Sequence, residues 1–499
     1  MTTSSDKIKG ILLTTLLYFA AVAVAHGVGF RMEVPLSYIH LLDSRIVSEH
    51  PATSLWYLHN QPPGLNAVLA LVMNASRLLD ASPEKVAKLL FLAVGLLGAW
   101  LLFQMLFKLT DSRIAALAGV AVLLASPGYH LFANLFFYTF LLHLLLLALV
   151  WLAWRFFEER KPTHLYAFAI VAAATSLTRN LYHPLWAVLA FSLLVLSAGW
   201  LHGWRGALRV QIGPAAVLLL VLLAWPLKNY LVFEHFVYSS WSGFNLRMQL
   251  PVAQHPDLNR YLSSGQVTPH MARRLRRATR GYSETGRKLV LTARKSDGSL
   301  NWNHLLFLWT NQDITRRATA WRLGHIRLWL AKGIGQYWMF TRATYTESYE
   351  GGIRGPDSPS YRAYAAAVRR LVFADLRPFL ERLVPIQTLH DQAKIRKKPV
   401  PYTLFGAILF PATMAASLWL LLAGLRRRIP EAAVMGVAWL CVFWNVLVPC
   451  ATYGFESNRA RFTTLPLFLI LFWYVLRSLN RGRKLLPHSQ PAPARGWSL

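Results

Sequence analysis

Ten stretches of this chain stay apolar over about the 20 residues that a helix needs to cross the hydrocarbon core of a bilayer. They cover Lys9–Phe30, Pro83–Lys108, Ile114–Leu131, Phe136–Trp154, Leu165–Leu181, Pro184–Leu201, Val210–Leu231, Tyr402–Leu425, Ala432–Pro449 and Thr463–Leu479. Backbone polar groups in hydrocarbon have no water to bond, so each run must satisfy itself as a helix. The fold class expected is therefore an all-α polytopic membrane protein of about ten transmembrane helices. The composition agrees: 55% of residues are hydrophobic and 15% are charged, against about 25% charged in a soluble domain. The first run lacks a small-residue cleavage site and reads as a signal anchor.

Orientation follows from cations in the short loops. With Lys7 and Lys9 inside, the same side receives Lys108 and Arg113, then Arg155, Arg160 and Lys161, then Arg205 and Arg209. It next receives Arg426, Arg427 and Arg428, and last Arg477, Arg481, Arg483 and Lys484. Both termini are thus expected in the cytoplasm, in the inner membrane of a bacterium.

Four parts are expected: a membrane module over 1–231 with a first external loop at 31–82, an extracytoplasmic insertion over 232–401, C-terminal helices over 402–480, and a disordered tail over 481–499. Leu65–Leu79 reads as a helix lying at the membrane surface, because a crossing there would invert every later charge. Within the insertion, Ile326–Phe340 reads as an amphipathic interfacial stretch and Tyr364–Leu383 as a soluble-type helix, with no strand pattern.

Lys and Arg number 53 against 22 Asp and Glu, a formal charge of +31. No zinc-ligand spacing or helix-turn-helix block accompanies this excess, so nucleic acid is not an expected partner. Cytoplasmic anchoring and contact with anionic head groups or lipid phosphates explain the charge. The two cysteines, Cys441 and Cys450, lie nine residues apart on one run. That puts them about 13 Å apart along a helix, too far for a disulfide.

The chemistry-bearing residues cluster in the external segments. The first loop holds Glu33, Asp43 and Glu49 with His40, His50 and His59. A carboxylate there, facing a lipid-linked substrate, suits a general base; the alternative is a solvated loop capping its own turns. Thr178-Arg179-Asn180 ends the fifth run, where an arginine must face a polar cavity or reach the interface. Lys228 and the run Ser239-Ser240-Trp241-Ser242-Gly243 open the insertion, as an oxyanion site or as a turn with an interfacial Trp. Glu456 and Arg459 stand three apart before the last run, with Arg461 beyond. Arginine grips phosphate through two parallel hydrogen bonds, and interfacial anchoring of the helix end is the alternative.

The segment Tyr57–Asn66, YLHNQPPGLN, in this place after a long acidic first loop, resembles the GT-C superfamily of membrane glycosyltransferases. That group includes protein O-mannosyltransferases and the lipid A aminoarabinose transferase. The resemblance spans roughly Lys9–Leu231 and Tyr402–Leu479. It implies an inverting transfer of sugar from a polyprenyl-phosphate donor to a glycan, lipid or protein acceptor at the outer face. It implies a catalytic Asp in the first loop, matched best by Asp43, with Glu33 as the second choice. It places Arg459, Arg461, His59, Gln61, Lys228 and Arg179 toward the donor phosphate, and Glu456, Tyr138 and Tyr345 at the cavity or acceptor entrance. The chain departs from the family at Ser126–Thr139, which carries no carboxylate. No cofactor is required and no metal ligand is assigned; a divalent cation stays open, although one Asp is a poor cage for it. A lipid or glycolipid flippase without transferase activity is the competing reading.

Overall fold

Helix ends are written into the sequence by capping residues and prolines. Ser82 accepts from the Lys85 N–H ahead of Pro83, and Ser112 accepts from the Ala115 N–H. Each side-chain oxygen satisfies an N–H that a first turn leaves over. Pro127, Pro162, Pro184 and Pro430 begin helices where a missing N–H costs nothing.

The computed structural model describes residues 4–30, 36, 40–242, 256–341, 359–372, 403–452 and 457–481. Twenty helices follow in order: α1 Ser4–Gly27, α2 Ser44–Glu49, α3 Pro51–Trp56, α4 Gly64–Leu78, α5 Pro83–Thr110, α6 Arg113–Leu124, α7 Pro127–Ala133, α8 Tyr138–Glu159, α9 Pro162–Thr178, α10 Pro184–His202 and α11 Trp204–Phe233. The insertion contributes α12 Pro256–Ser264, α13 Pro269–Ala278, α14 Glu284–Leu291, α15 Leu305–Gly324, α16 Ile326–Thr341 and α17 Pro359–Val372. A π-helical turn Phe405–Leu409 leads into α18 Phe410–Arg426, followed by α19 Pro430–Thr452 and α20 Ser457–Arg481. Among the described residues there is no strand, only a lone bridge between Arg294 and Leu300.

Among the described residues, eight helices are long and apolar enough to cross a membrane: α1, α5, α8, α10, α11, α18 with its π-turn, α19 and α20. Two of the ten expected runs differ. Ile114–Leu131 is not one rod: α6 and α7 meet at a 65° bend, because Pro127 opens a new helix and denies its N–H to the old one. Leu165–Leu181 begins at Pro162 and stops at Thr178, a 17-residue helix. The surface helix expected at Leu65–Leu79 is α4, and the interfacial stretch Ile326–Phe340 is α16. Tyr364–Leu383 is helical as far as Val372; its remainder and the tail from 482 onward lie outside the described residues.

Burial sorts the helices. In α8, 61% of the span window is buried, against 22% in α1. α8 is the central post; α1 is peripheral and shows Leu16, Phe19 and Val24 on its outside, each more than half exposed. Apolar surface on that scale belongs in lipid. At the heart, Phe91 stacks between Phe136 and Phe140, and His143 stacks on Phe462 of α20.

The two ends of the bundle differ in kind. One end is held by ion pairs between helix termini: Lys108 with Glu158, Arg113 with Asp6, Arg155 and Lys161 with Glu159, and Arg477 with Glu431. Five of the sixteen cations used above for orientation, Lys108, Arg113, Arg155, Lys161 and Arg477, take part in them. The other end carries the insertion and the non-helical segment Tyr57–Pro63. There Gly64 lets α4 start against the end of α9. A Cβ at Gly64 would lie 2.8 Å from the Leu177 carbonyl oxygen and 2.6 Å from Thr178 Oγ1.

Gly64→Ala is therefore predicted to cost about 1–3 kcal/mol through overpacking, read as a lower thermal midpoint of the detergent-solubilised protein. Gly27→Ala, where nothing stands within 4 Å of the new atom, is the control. Equal midpoints for the two variants would show that the α4–α9 approach is not tight.

Candidate functional site

Three constructions meet at the insertion end: a backbone clamp, a capped carboxylate and an open cavity.

The clamp holds Tyr57–Gln61, a stretch whose own geometry leaves backbone groups without helical partners. Asn303 Oδ1 accepts from the His59 and Asn60 N–H groups at 2.9 and 3.1 Å, and its Nδ2 donates to the Tyr57 carbonyl at 2.9 Å. From the other side, the Ser240 and Trp241 N–H groups donate to the His59 and Asn60 carbonyls, and Ser239 Oγ donates to Asn60 as well. Lys228 Nζ donates to the Leu58 carbonyl at 2.5 Å and lies 3.7 Å from the Trp225 ring centre. His59 is fully buried, with Nδ1 2.9 Å from Ser240 Oγ. Desolvation, with the Lys228 charge second, pushes its pKa down to about 3, so the imidazole is neutral. In this structure His59 and Lys228 hold backbone together rather than standing free for a phosphate.

Asp43 caps α2, accepting from the Arg45 N–H at 3.1 Å. It also accepts from the Ser296 N–H at 2.6 Å and from Ser296 Oγ at 2.7 Å. With Lys288, Arg294, Lys295 and Ser296 it lines a cavity of about 310 Å³. The Lys295 ammonium is pushed below its ordinary pKa by burial, partly offset by Asp297 and Asp43. Asp43 is thus a bound carboxylate in a cationic recess.

The open cavity, about 320 Å³, lies between the outer ends of α8, α9, α10 and α19. Gln61, Tyr138, Arg179 and Asn180 supply its polar groups; Leu181, Leu185, Trp444 and Val448 supply apolar wall. Arg179 is 5% exposed, with its guanidinium carbon 4.8 Å from the Tyr138 ring centre. Helix α9 ends at Thr178, which leaves Arg179 in extended backbone as its C-cap. The Asn180 side-chain nitrogen has no hydrogen-bond partner, a donor left over in a polar wall. Gln61 Nε2 is 3.1 Å from His40 Nδ1, and the His40 ring packs on Phe137, Tyr138 and Trp241.

Three of the expected residues, Gln61, Tyr138 and Arg179, are brought together here. Asp43 is not among them, although it follows His40 by three residues. Arg461 is buried at the start of the α20 span, 5.4 Å from the Phe405 ring centre. It does not line that cavity; two residues on, Thr463 Oγ1 donates to Asn445 Oδ1 at 3.2 Å and stands 3.4 Å from Tyr182 Oη. Trp444 Nε1 closes the cavity wall on the Leu181 carbonyl at 2.7 Å. Glu33, Tyr345 and Glu456 lie outside the described residues, as does the Arg459 side chain. Among the described residues, no three His, Cys, Asp or Glu side chains are grouped to hold a metal ion.

Sequence reasoning passed over Asn303, Ser296 and Trp444. Asn303 and Ser296 belong to the insertion and act some 240 and 250 residues away in sequence, on partners no local pattern names. Trp444 looked like any aromatic in an apolar run.

No family model matches the chain, and neither a curated protein nor a solved structure matches it.

The buried histidines set a pH dependence. His304, the α15 cap, is also pushed down by burial, to about 4. Unfolded, each takes a proton near pH 6.5. Between about pH 4 and 6.5 the native state therefore binds fewer protons, and stability that is complete above 6.5 drains away as pH falls. Going from pH 7.5 to 5 should cost about 2 kcal/mol from His59 alone. His59→Gln should flatten the fall of the thermal midpoint over that interval; an unchanged slope would place the titration elsewhere.

Proposed function

We infer that this chain is a membrane glycosyltransferase of GT-C type, taking sugar from a polyprenyl-phosphate donor. The observation that carries the reading is the Arg179 cavity. A cation and a spare amide donor sit at the head of an apolar slot between helix ends, and Leu185 at its rim is 54% exposed on the lipid side. A buried arginine at the end of a membrane-spanning bundle is costly and marks a functional position. A phosphate on a long apolar tail matches both halves of the slot: the head to Arg179 and Asn180, the tail along Leu181, Leu185 and Val448.

The reading places the insertion outside a bacterial inner membrane, with both chain termini and the ion-paired end of the bundle in the cytoplasm. Ten crossings result if α9 and the bent α6–α7 pair each count as one, with the module, insertion and C-terminal helices divided at about 231 and 402. In the transfer, an acceptor hydroxyl or amine attacks the anomeric carbon and the carbon–oxygen bond to phosphate breaks. Polyprenyl phosphate departs with the electron pair, and the acceptor's proton passes to a carboxylate. Arg179, with Arg461 and Arg459 at the start of α20, offsets the charge that develops on the leaving phosphate. Asp43 is our assignment for the base. Its recess shares no lining residue with the donor cavity, so this role requires the strap from His40 to Asp43 to turn the carboxylate off Ser296. Glu33 is the second candidate.

A second reading, a flippase for an amphipathic lipid, has one observation in its favour. The α6–α7 pair, bent by 65°, has the form of a broken span or a re-entrant loop, and transporters build their paths from discontinuous helices.

Removing a charged hydrogen-bond donor to phosphate is worth about 1.5–3 kcal/mol. Arg179→Gln should therefore weaken binding of undecaprenyl phosphate, titrated by native mass spectrometry, about 10- to 100-fold. Undiminished binding would remove the cavity from the donor path. Asp43→Asn should bind the lipid normally but lose turnover of its sugar conjugate. If it turns over normally, Asp43 is a structural cap and not the base. Lipid scrambling by reconstituted protein, with no sugar transfer, would favour the flippase.

A further inference from the structure

A larger cavity, about 510 Å³, opens where the insertion meets the membrane module, and it shares no residue with the two already described. Its floor is the outer end of α11 and the turn after it; its roof is α13, α15 and Tyr282. Polar groups line it: Glu234, His235, Arg274, Tyr282 and Thr310, with the indole of Trp309. The Arg274 guanidinium carbon is 5.2 Å from the Trp309 ring centre, and Tyr282 Oη donates to the Val232 carbonyl at 2.7 Å. His235 Nδ1 donates to the Phe233 carbonyl at 2.7 Å, which leaves Nε2 for a second partner.

Two further observations say what faces this cavity. Tyr230, Leu231 and Phe236, around its floor, are 53, 68 and 60% exposed. They cap a helix long and apolar enough to cross the membrane, so this collar sits at the bilayer surface, where aromatic belts lie. Above the mouth, Arg273, Arg274, Arg276, Arg277 and Arg280 are all exposed, and none makes an ion pair among the described residues. Five uncompensated cations within eight residues repel one another and draw anions from the head-group layer.

We propose that this cavity is a binding site for an anionic phospholipid whose head group carries hydroxyls, as phosphatidylglycerol does. Arg274, backed by its arginine neighbours, takes the phosphate. Glu234 and His235 Nε2 accept from the head-group hydroxyls, and Trp309 walls the glycerol. The acyl chains leave past Leu231 into the outer leaflet. A choline head group has no hydroxyl to offer Glu234 and keeps its own cation beside the arginines, so it is excluded. The site pins the insertion to the bilayer next to the transfer cavity, and it stands whether or not the donor reading holds.

The test is native mass spectrometry of the full-length detergent-solubilised protein, titrated with dioleoylphosphatidylglycerol or dioleoylphosphatidylcholine. Wild type should retain one phosphatidylglycerol and no phosphatidylcholine. Arg274→Gln should weaken retention about tenfold or more. Ala278→Trp places an indole in the cavity wall from an exposed helix position and leaves every arginine in place; it should abolish the adduct without moving the thermal midpoint. If Ala278→Trp retains phosphatidylglycerol as wild type does, the arginines act as a diffuse belt and the site is wrong. Equal retention of both lipids, or displacement of phosphatidylglycerol by millimolar inorganic phosphate, also overturns it. Arg179→Gln should leave this adduct unchanged.

Discussion

The insertion-bearing end of this protein depends on how Tyr57–Pro63 satisfies its backbone. Two prolines and the turn ahead of α4 take this stretch out of any helix, at a depth where water is scarce. Each of its buried N–H and carbonyl groups costs energy unless paired. Asn303 settles three of them with one side chain, and Ser239, Ser240, Trp241 and Lys228 settle most of the rest. The partners all come from the insertion or its root. Satisfying the backbone therefore docks the insertion onto the membrane module, and the rims of both the Arg179 cavity and the Asp43 recess are built from that docked contact.

A consequence is that the polar residues of the HNQPPG stretch divide their labour. The backbone and His59 are consumed by the clamp, while Gln61 points on to His40 and the cavity wall. Lys228 lies near the end of α11, yet its ammonium nitrogen donates to the Leu58 carbonyl and packs over the faces of Trp225 and Phe233. Arg179 differs because α9 stops at Thr178. A longer α9 would have buried residue 179 among helices; ending there turns the guanidinium onto the Tyr138 face at a cavity edge.

Much of this architecture is legible in the chain because hydrocarbon imposes one solution on a long apolar run. All eight long helices fall on runs read from hydropathy, and α4 falls where the charge alternation required a non-crossing helix. The bend between α6 and α7 was not read because apolar content runs unbroken through Ser126-Pro127, and composition outvoted the proline. The site was legible only in part. Thr178-Arg179-Asn180 and YLHNQPPGLN stand out by residue type, so Arg179, Gln61 and His59 could be singled out. Whether a given side chain would face a cavity or a carbonyl could not, since Asn303 and Ser296 decide that from some 240 residues away.

Under the proposed readings, the three cavities would sort anions in three different ways. Arg179 is buried and reaches an anion only through an apolar slot, which favours a phosphate with a hydrocarbon tail. The cations around Asp43 share a recess with a bound carboxylate, which lowers the local potential and leaves room for a neutral or weakly anionic hydroxyl compound. Arg274 and its neighbours are exposed, and the proposed site would set them at the head-group layer, where diacyl phospholipid is the abundant anion. One net charge, distributed over three depths, thus presents three different preferences. Under the proposed function, a head-group site on the insertion would hold bulk phospholipid phosphate away from a slot that takes polyprenyl phosphate.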